Sequence, residues 1–222
     1  RRRALLGKIA GKLVAMYSEI SQYLQELKSP LENLPVERQS TLDQVATFAQ
    51  SQLARGSRAK LTFICTHNSR RSQLAQVWAA TAAAYYGLAQ LESYSGGTEA
   101  TAFDQRALAA LQRAGFRAEK GEGGDPAWLI SFDANTPALA CFSKTYDHPS
   151  NPRDHFAAIM TCSQAQENCP IIPGAAQRVP LPYDDPKDAD DTPREKTAYD
   201  HSCRLIAAEM VYTMRRIKEG QV

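Results

Sequence analysis

Residues 60–72 read KLTFICTHNSRRS, and this stretch decides the fold. Its first half, 60–65, is a short, mostly apolar run suited to a strand buried on both faces of a parallel sheet. Its second half is polar, and the chain then turns Ala-rich, so that 70–86 reads as a helix. A polar loop between a buried strand and a helix gathers backbone N–H groups into one cradle, and the helix N-terminus adds partial positive charge. Such a cradle suits a tetrahedral oxyanion. Cys65 sits at its floor, where a thiol is favoured as the reactive thiolate. Arg71 is placed to fold back and clamp the anion with two parallel hydrogen bonds. Ser72 is placed to steady the Cys65 sulfur. Cys-x5-Arg thus joins nucleophile, cradle and clamp on one loop. The bland alternative is a small buried thiol closing a strand, and the strand–loop–helix context favours the anion site over it.

Outward from this loop, strand and helix alternate. Residues 91–96 (LESYSG) predict a second strand, and 103–115 a helix ended by Gly115. Residues 127–133 and 138–144 predict a hairpin around Asn135-Thr136-Pro137. Residues 156–162 (FAAIMTC) predict a buried strand, 177–182 a weaker one, and 193–218 a long helix with Pro193 near its start and Glu195 in its first turn. This pattern predicts an α/β fold with a central, mainly parallel four-stranded sheet covered on both faces. Upstream, 4–28 carries Leu5, Ile9, Leu13, Met16, Ile20, Tyr23 and Leu27 at helical spacing, and Pro30 stops it. Residues 38–55 predict a second amphipathic helix, ended by Gly56. The expectation is an N-terminal helical hairpin over 1–56, for packing or dimerisation, appended to a catalytic domain over 57–222.

Of 222 residues, 43% are hydrophobic and 23% charged, enough apolar material for a core without disulfide staples. The 26 basic residues nearly balance the 24 acidic ones, which argues against a nucleic-acid partner. No apolar run approaches the roughly 18 residues of a membrane span, so no membrane partner is expected. Arg1-Arg2-Arg3 opens the sequence, but Lys8 and Lys12 interrupt the apolar stretch behind it, which reads as an exposed helix end rather than a signal peptide. The five cysteines (Cys65, Cys141, Cys162, Cys169 and Cys203) are an odd number in a chain with a good core. That favours a reducing, cytoplasmic compartment over a disulfide framework. Cys141 and Cys203 read as inert residues of a strand and a helix. Cys162 and Cys169 lack the spacing of a zinc site.

The segment Cys65-Thr66-x-Asn68-Ser69-x-Arg71-Ser72-Gln73 resembles the phosphate loop of low-molecular-weight protein tyrosine phosphatases. It is more similar still to that of their relatives, the thioredoxin-coupled arsenate reductases. Asp184-Asp185-Pro186 is similar to the place where the family sets its general-acid Asp directly before Pro, which falls on Asp185. Asp184 is the fallback, and a solvated carboxylate in an acidic run is the alternative for both. Cys162-Ser163-x-Ala165-x-x-Asn168-Cys169-Pro170-Ile171-x-Pro173 is similar to the redox segment of the reductases, which ordinary phosphatases of this fold lack. Ser95-Gly96-Gly97 also fits. The resemblance covers 60–218 and implies a three-layer low-molecular-weight phosphatase-like fold.

It implies Cys65, Arg71, Ser72, Asp185, Cys162 and Cys169 as catalytic residues, and Thr66, His67, Asn68, Ser69 and Arg70 as the rest of the oxyanion loop. It implies arsenate or a phosphate ester as substrate and thioredoxin or a small thiol as reductant; no cofactor is expected, and no metal, given the spacing of Cys162 and Cys169 and the presence of Gln76. Three functions compete: an arsenate reductase, a phosphatase whose cysteine pair protects Cys65, and a phosphate-binding module without turnover. Several residues depart from the family. His67 replaces a Gly, which predicts either strain at φ > 0 or a side chain turned outward. Arg70 replaces a second Cys and adds positive charge at the mouth. Gln76 stands where some reductases carry a carboxylate that helps hold potassium. The paired Tyr residues of animal phosphatases are missing after Pro186. Residues 120–155 read as an insertion, a lid or specificity edge over the site.

Overall fold

Four parallel strands lie side by side in the computed structural model, which describes residues 15–27, 31–122, 127–168 and 171–221. β1 (Ala59–Cys65) is central, between β2 (Leu91–Gly97) and β6 (Phe156–Met160), and β7 (Ala175–Pro180) lies beyond β6. All of β6, and all of β1 except Lys60, is buried, which is why both read as unbroken apolar runs. Alternate side chains serve two separate cores. Leu61, Phe63, Ala157, Ile159 and Val179 enter the larger one. Ile64, Phe156, Ala158 and Met160 enter a smaller one, which Cys65 and Cys162 share.

The larger core is closed by helices α2 (Val36–Ala54), α3 (Arg71–Tyr85) and α6 (Glu195–Glu219). Ala75, Ala79, Ala82 and Ala83 of α3 are buried small residues, and this Ala-rich face lets α6 approach closely. Trp78 fills the centre. Its ring stacks on Tyr23 at 5.1 Å and meets Phe116 edge-on at 4.9 Å, and its Nε1 donates to Cys203 Sγ at 3.2 Å. Helix α4 (Gln105–Arg113) packs on α6 and starts at Asp104, whose side chain caps Arg106 N. The smaller core is covered by the short helix α5 (Ser163–Asn168) and by Ile172 and Tyr146.

The two N-terminal helices are integral to the larger core. α1 (Ser18–Glu26) contributes Ile20 and Leu24; α2 contributes Leu42, Val45, Ala46, Phe48 and Ala49. Full burial of a Leu or Ile contributes about 1.5–3 kcal/mol, so these helices share in the stability of the sheet. The helix expected over 4–28 begins only at Ser18: residues 15–17 are extended, with Met16 in an isolated antiparallel bridge to Asp133, and 4–14 and 28 lie outside the described residues. A bidentate ion pair ties α2 to α6: Arg38 donates to the Glu209 carboxylate at 2.6 and 2.9 Å.

The expected hairpin over 127–144 is present as β4 (Trp128–Ser131) and β5 (Leu139–Cys141), antiparallel. A further strand, β3 (Arg117–Lys120), pairs with β4 to make a separate three-stranded sheet. Its sequence, RAEK, is polar and mostly exposed, so it carries no apolar alternation to announce it. Among the described residues no helix is long and apolar enough to cross a membrane.

Candidate functional site

The loop after β1 is held open from outside. Six consecutive carbonyls, from Cys65 to Arg70, each accept a hydrogen bond. Thr98 N bonds Cys65 O at 3.2 Å, and Glu99 N bonds Thr66 O at 2.8 Å. Ser143 Oγ bonds His67 O at 2.8 Å, and Gln73 Nε2 bonds Asn68 O at 3.0 Å. Asp104 N bonds Ser69 O at 3.0 Å, and Leu74 N bonds Arg70 O at 2.9 Å. In a trans peptide the N–H points opposite to the C=O. Tying these carbonyls outward therefore turns the amides of 66–71 to the other side, as an anion cradle requires.

Asn68 is the pin of this loop. It is fully buried in the left-handed region, at φ 47°, a conformation that Asn tolerates better than most residues. Its Oδ1 accepts from Lys144 N at 3.0 Å, which fixes the orientation of the amide. Its Nδ2 therefore faces Ser72 Oγ, at 2.8 Å. With its oxygen occupied, Ser72 has its proton free for Cys65 Sγ, 3.1 Å away. The positive φ falls on Asn68 and not on His67, so His67 needs no strain. Its side chain is 41% exposed and turned outward, 3.7 Å from the Glu99 carboxylate.

The loop also depends on Gly97 at the end of β2. A Cβ there would come within 2.6 Å of Thr66 O and 2.8 Å of Asn68 N, so only glycine lets β2 run this close.

Arg71 opens α3. Its Nη1 donates to Tyr183 O at 2.9 Å and its Nη2 to Asp185 Oδ2 at 2.7 Å; its Nε is buried with no partner among the described residues. Asp185 also receives a fork from Arg70, with Nε on Oδ1 at 2.9 Å and Nη2 on Oδ2 at 3.1 Å. Burial pushes the Asp185 carboxyl up, but the Arg70 hydrogen bonds and the charges of Arg71 and Arg70 outweigh it and hold it below the usual carboxylate range. Its Oδ1 also accepts from Lys187 N, and Pro186 opens a 3₁₀ turn over Pro186–Ala189. Asp185 thus faces the loop, whereas Asp184 is exposed.

Cys65 ends β1 and Cys162 lies two residues beyond the end of β6, and those strands are paired neighbours. Thr66 Oγ1 lies 3.5 Å from Cys162 Sγ, and Ala165 N donates to that sulfur at 3.3 Å. Cys162 is a buried free thiol beside the loop; Cys169 lies outside the described residues. Cys141 and Cys203 are elsewhere in the core, where burial pushes their thiols up to about 12 and about 11. Ser69 is anchored through Oγ to Ala102 O at 2.7 Å.

Sequence reading assigned no role to Gln73, Ser143, Asp104 or the Tyr183 carbonyl. Gln73 was within the loop motif; the other three carry no signal, because what they contribute is a hydrogen bond to backbone or to a distant arginine. The segment expected as an insertion does reach the loop, through Ser143 Oγ to His67 O and Lys144 N to Asn68 Oδ1.

Residues 60–125 match the family model of low molecular weight phosphotyrosine protein phosphatases. Two curated relatives are arsenate reductases. That of Bacillus licheniformis is 28% identical over 145 residues, covering 64% of this chain and 85% of the relative. Arsenate reductase 2 of Staphylococcus epidermidis is 29% identical over 124 residues, covering 56% and 76%. Among solved structures, a low molecular weight phosphotyrosine phosphatase from Vibrio cholerae superposes over 74% of this chain and 99% of its own, at 15% identity and a TM-score of 0.48. An arsenate reductase in the phosphate-binding state covers 72% and 98%, at 15% identity and a TM-score of 0.41.

Proposed function

The chain is related to the low-molecular-weight protein tyrosine phosphatase superfamily with its arsenate reductases, and we propose that it reduces arsenate through a covalent Cys65 adduct. The observation that carries this reading is the placement of Cys162 beside a cradle built around Cys65: Thr66, the residue after the nucleophile, touches the Cys162 sulfur. Hydrolysis by itself does not need a second thiol there.

In the proposed cycle the Cys65 thiolate attacks arsenic, an As–S bond forms, an As–O bond breaks, and the departing hydroxide takes a proton from a second arsenate hydroxyl and leaves as water. The amides of 66–71 and the Arg71 guanidinium take up the charge on the arsenate oxygens, an electrostatic contribution that is usually the largest in such sites. Ser72 holds the sulfur in line. Cys162 then attacks the Cys65 sulfur. An S–S bond forms, the S–As bond breaks, and its electron pair stays on arsenic, which departs as arsenite. Cys169 attacks Cys162, frees Cys65 and leaves a Cys162–Cys169 disulfide for thioredoxin or a small thiol to reduce. The role of Cys169 rests on the resemblance of its segment alone. A cytoplasmic setting, where such reductants are held, belongs to the same proposal.

A second reading is favoured by Asp185, which faces the loop through both arginines: hydrolysis of aryl phosphates through a phosphocysteine, with Asp185 as proton donor and the cysteine pair protecting Cys65.

The test is covalent trapping. Arsenate is added to the Cys169→Ser protein, and the peptides are mapped by mass spectrometry. The reductase reading predicts a Cys65–Cys162 disulfide that forms only with arsenate. Its absence, with a phosphocysteine formed from an aryl phosphate instead, establishes the second reading.

A further inference from the structure

Arg70 and Arg71 both hold Asp185, but not in the same way. Arg71 belongs to the cradle; its Nε has no partner among the described residues and is left as a donor for an entering anion. Arg70 is 9% exposed and grips Asp185 with a two-point fork that does not depend on Arg71. Its remaining Nη1 points at Asp104 Oδ2, 3.4 Å away at the cap of α4, so Arg70 is braced from a second element. A carboxylate held bidentately by a guanidinium stays ionised, and an ionised carboxylate has no proton to give.

Building on the thiol chemistry proposed above, we propose that Arg70 is a positioning residue that keeps Asp185 turned inward and ionised, and that it thereby restricts the site to oxyanions whose departing oxygen needs no proton from the enzyme. Two chemical classes meet that condition. With an ester of an acidic phenol, the S–P bond forms, the P–O bond breaks, and the electron pair leaves on a stable phenolate; water then attacks phosphorus and returns the Cys65 thiolate. With dihydrogen arsenate, the oxyanion brings its own proton: the As–O bond breaks as a proton passes from a second arsenate hydroxyl, and water leaves. Esters of alkyl alcohols or plain phenol lack this route and turn over slowly.

The groups around Asp185 are accounted for from each element that packs on it. Arg70 and Arg71 come from the start of α3, and Asp104 from the cap of α4. Arg194, at the cap of α6, and His201, in that helix, share a groove with Asp185, and Tyr199 of the same helix interacts with Arg70. Asp184, Lys187 and Asp188 lie on its own loop. Among the described residues, only Arg70 and Arg71 place cationic side chains on the carboxylate.

The experiment compares wild type with Arg70→Met, which keeps the length of the stem, and Arg70→Lys, which keeps a charge without the fork. It measures kcat/KM for 2,4-dinitrophenyl phosphate and for phenyl phosphate across pH, and the titration of the Asp185 carboxyl by carbon NMR. Arg70→Met is expected to raise phenyl phosphate turnover relative to the dinitrophenyl ester about tenfold, a fraction of what a working general acid supplies. The Asp185 midpoint moves up together with the alkaline fall of phenyl phosphate turnover. Arg70→Lys moves both in the same direction by less. Arg70→Met serves if it folds, and Arg70→Lys decides if it does not. An unchanged ratio of the two esters, or an unmoved Asp185 midpoint, overturns the proposal. If wild type neither cleaves an ester nor releases arsenite, the proposed function fails, and the carboxyl titration alone decides whether Arg70 holds Asp185 ionised.

Discussion

The ion pair between α2 and α6 allows a stability prediction with a definite asymmetry. Glu209 is almost wholly enclosed, its side chain 2% exposed, whereas the Arg38 side chain is 21% exposed. Arg38 also lies over the Tyr183 ring, 4.7 Å from its centroid. Replacing Arg38 by Met leaves a carboxylate deep in the protein without its cation, which costs about 3–5 kcal/mol. Replacing Glu209 by Met leaves a guanidinium that reaches water along its exposed edge, so only the charged hydrogen bonds are lost, about 1.5–3 kcal/mol. The double variant removes both charges and substitutes apolar volume, a change that is often neutral or stabilising. The double variant should therefore be more stable than Arg38→Met alone. For a chain of this size about 2–4 °C of melting temperature accompanies each kcal/mol, so Arg38→Met should melt roughly 6–20 °C below wild type. Urea unfolding of the four proteins, followed by circular dichroism, measures the cycle. An Arg38→Met cost below about 1 kcal/mol, or a double variant less stable than either single one, refutes the reasoning.

Asn68→Ala removes the bonds to Ser72 and Lys144 N and leaves an alanine at positive φ; kcat/KM should fall about a hundredfold, the scale of losing one preorganised anion-stabilising group, while far-ultraviolet dichroism stays as in wild type. Gly97→Ala should abolish oxyanion binding, because the added methyl drives β2 into the Thr66 and Asn68 backbone; isothermal titration with phosphate reads this directly, and wild-type affinity contradicts it. The depressed Asp185 carboxyl gives a pH signature. Its folded value lies below the unfolded one, so its stabilisation is complete above about pH 4 and is lost as pH falls through the folded value. Asp185→Asn should flatten that part of the acid unfolding curve, and a curve superposable on wild type argues against the clasp.

How much of this was legible in the sequence follows the range of the signals. KLTFIC followed by a polar loop and an Ala-rich helix is a local pattern, and the structure has β1, the loop and α3 where the pattern puts them. The two inner strands, β1 and β6, were legible too, because strands buried on both faces must be apolar; β2 and β7 are only partly buried and gave weaker runs. β3 was not, since an exposed edge of polar residues obeys no period. Helical spacing in 38–55 gave the existence of α2 but not its cover: periodicity names the apolar face and is silent on what lies against it. At the site, Cys65, Arg71 and Ser72 were readable because they share one loop. The outward ties on the loop carbonyls were not, since backbone hydrogen bonds leave no mark on residue identity. The clasp of Arg70 on Asp185 spans 115 positions, and neither residue announces the other. Of the two outcomes expected for His67 in place of Gly, the outward-turned side chain is the one present, because the left-handed turn falls one residue later, on Asn68.

The central claim is that Cys162 resolves an adduct on Cys65. The most direct measurement pairs two assays on wild type and Cys162→Ser: arsenate-dependent NADPH oxidation through thioredoxin and its reductase, and hydrolysis of 2,4-dinitrophenyl phosphate. The account predicts that Cys162→Ser loses arsenate turnover and keeps ester hydrolysis. Wild type that hydrolyses the ester but turns over no arsenate, with or without Cys162, contradicts it.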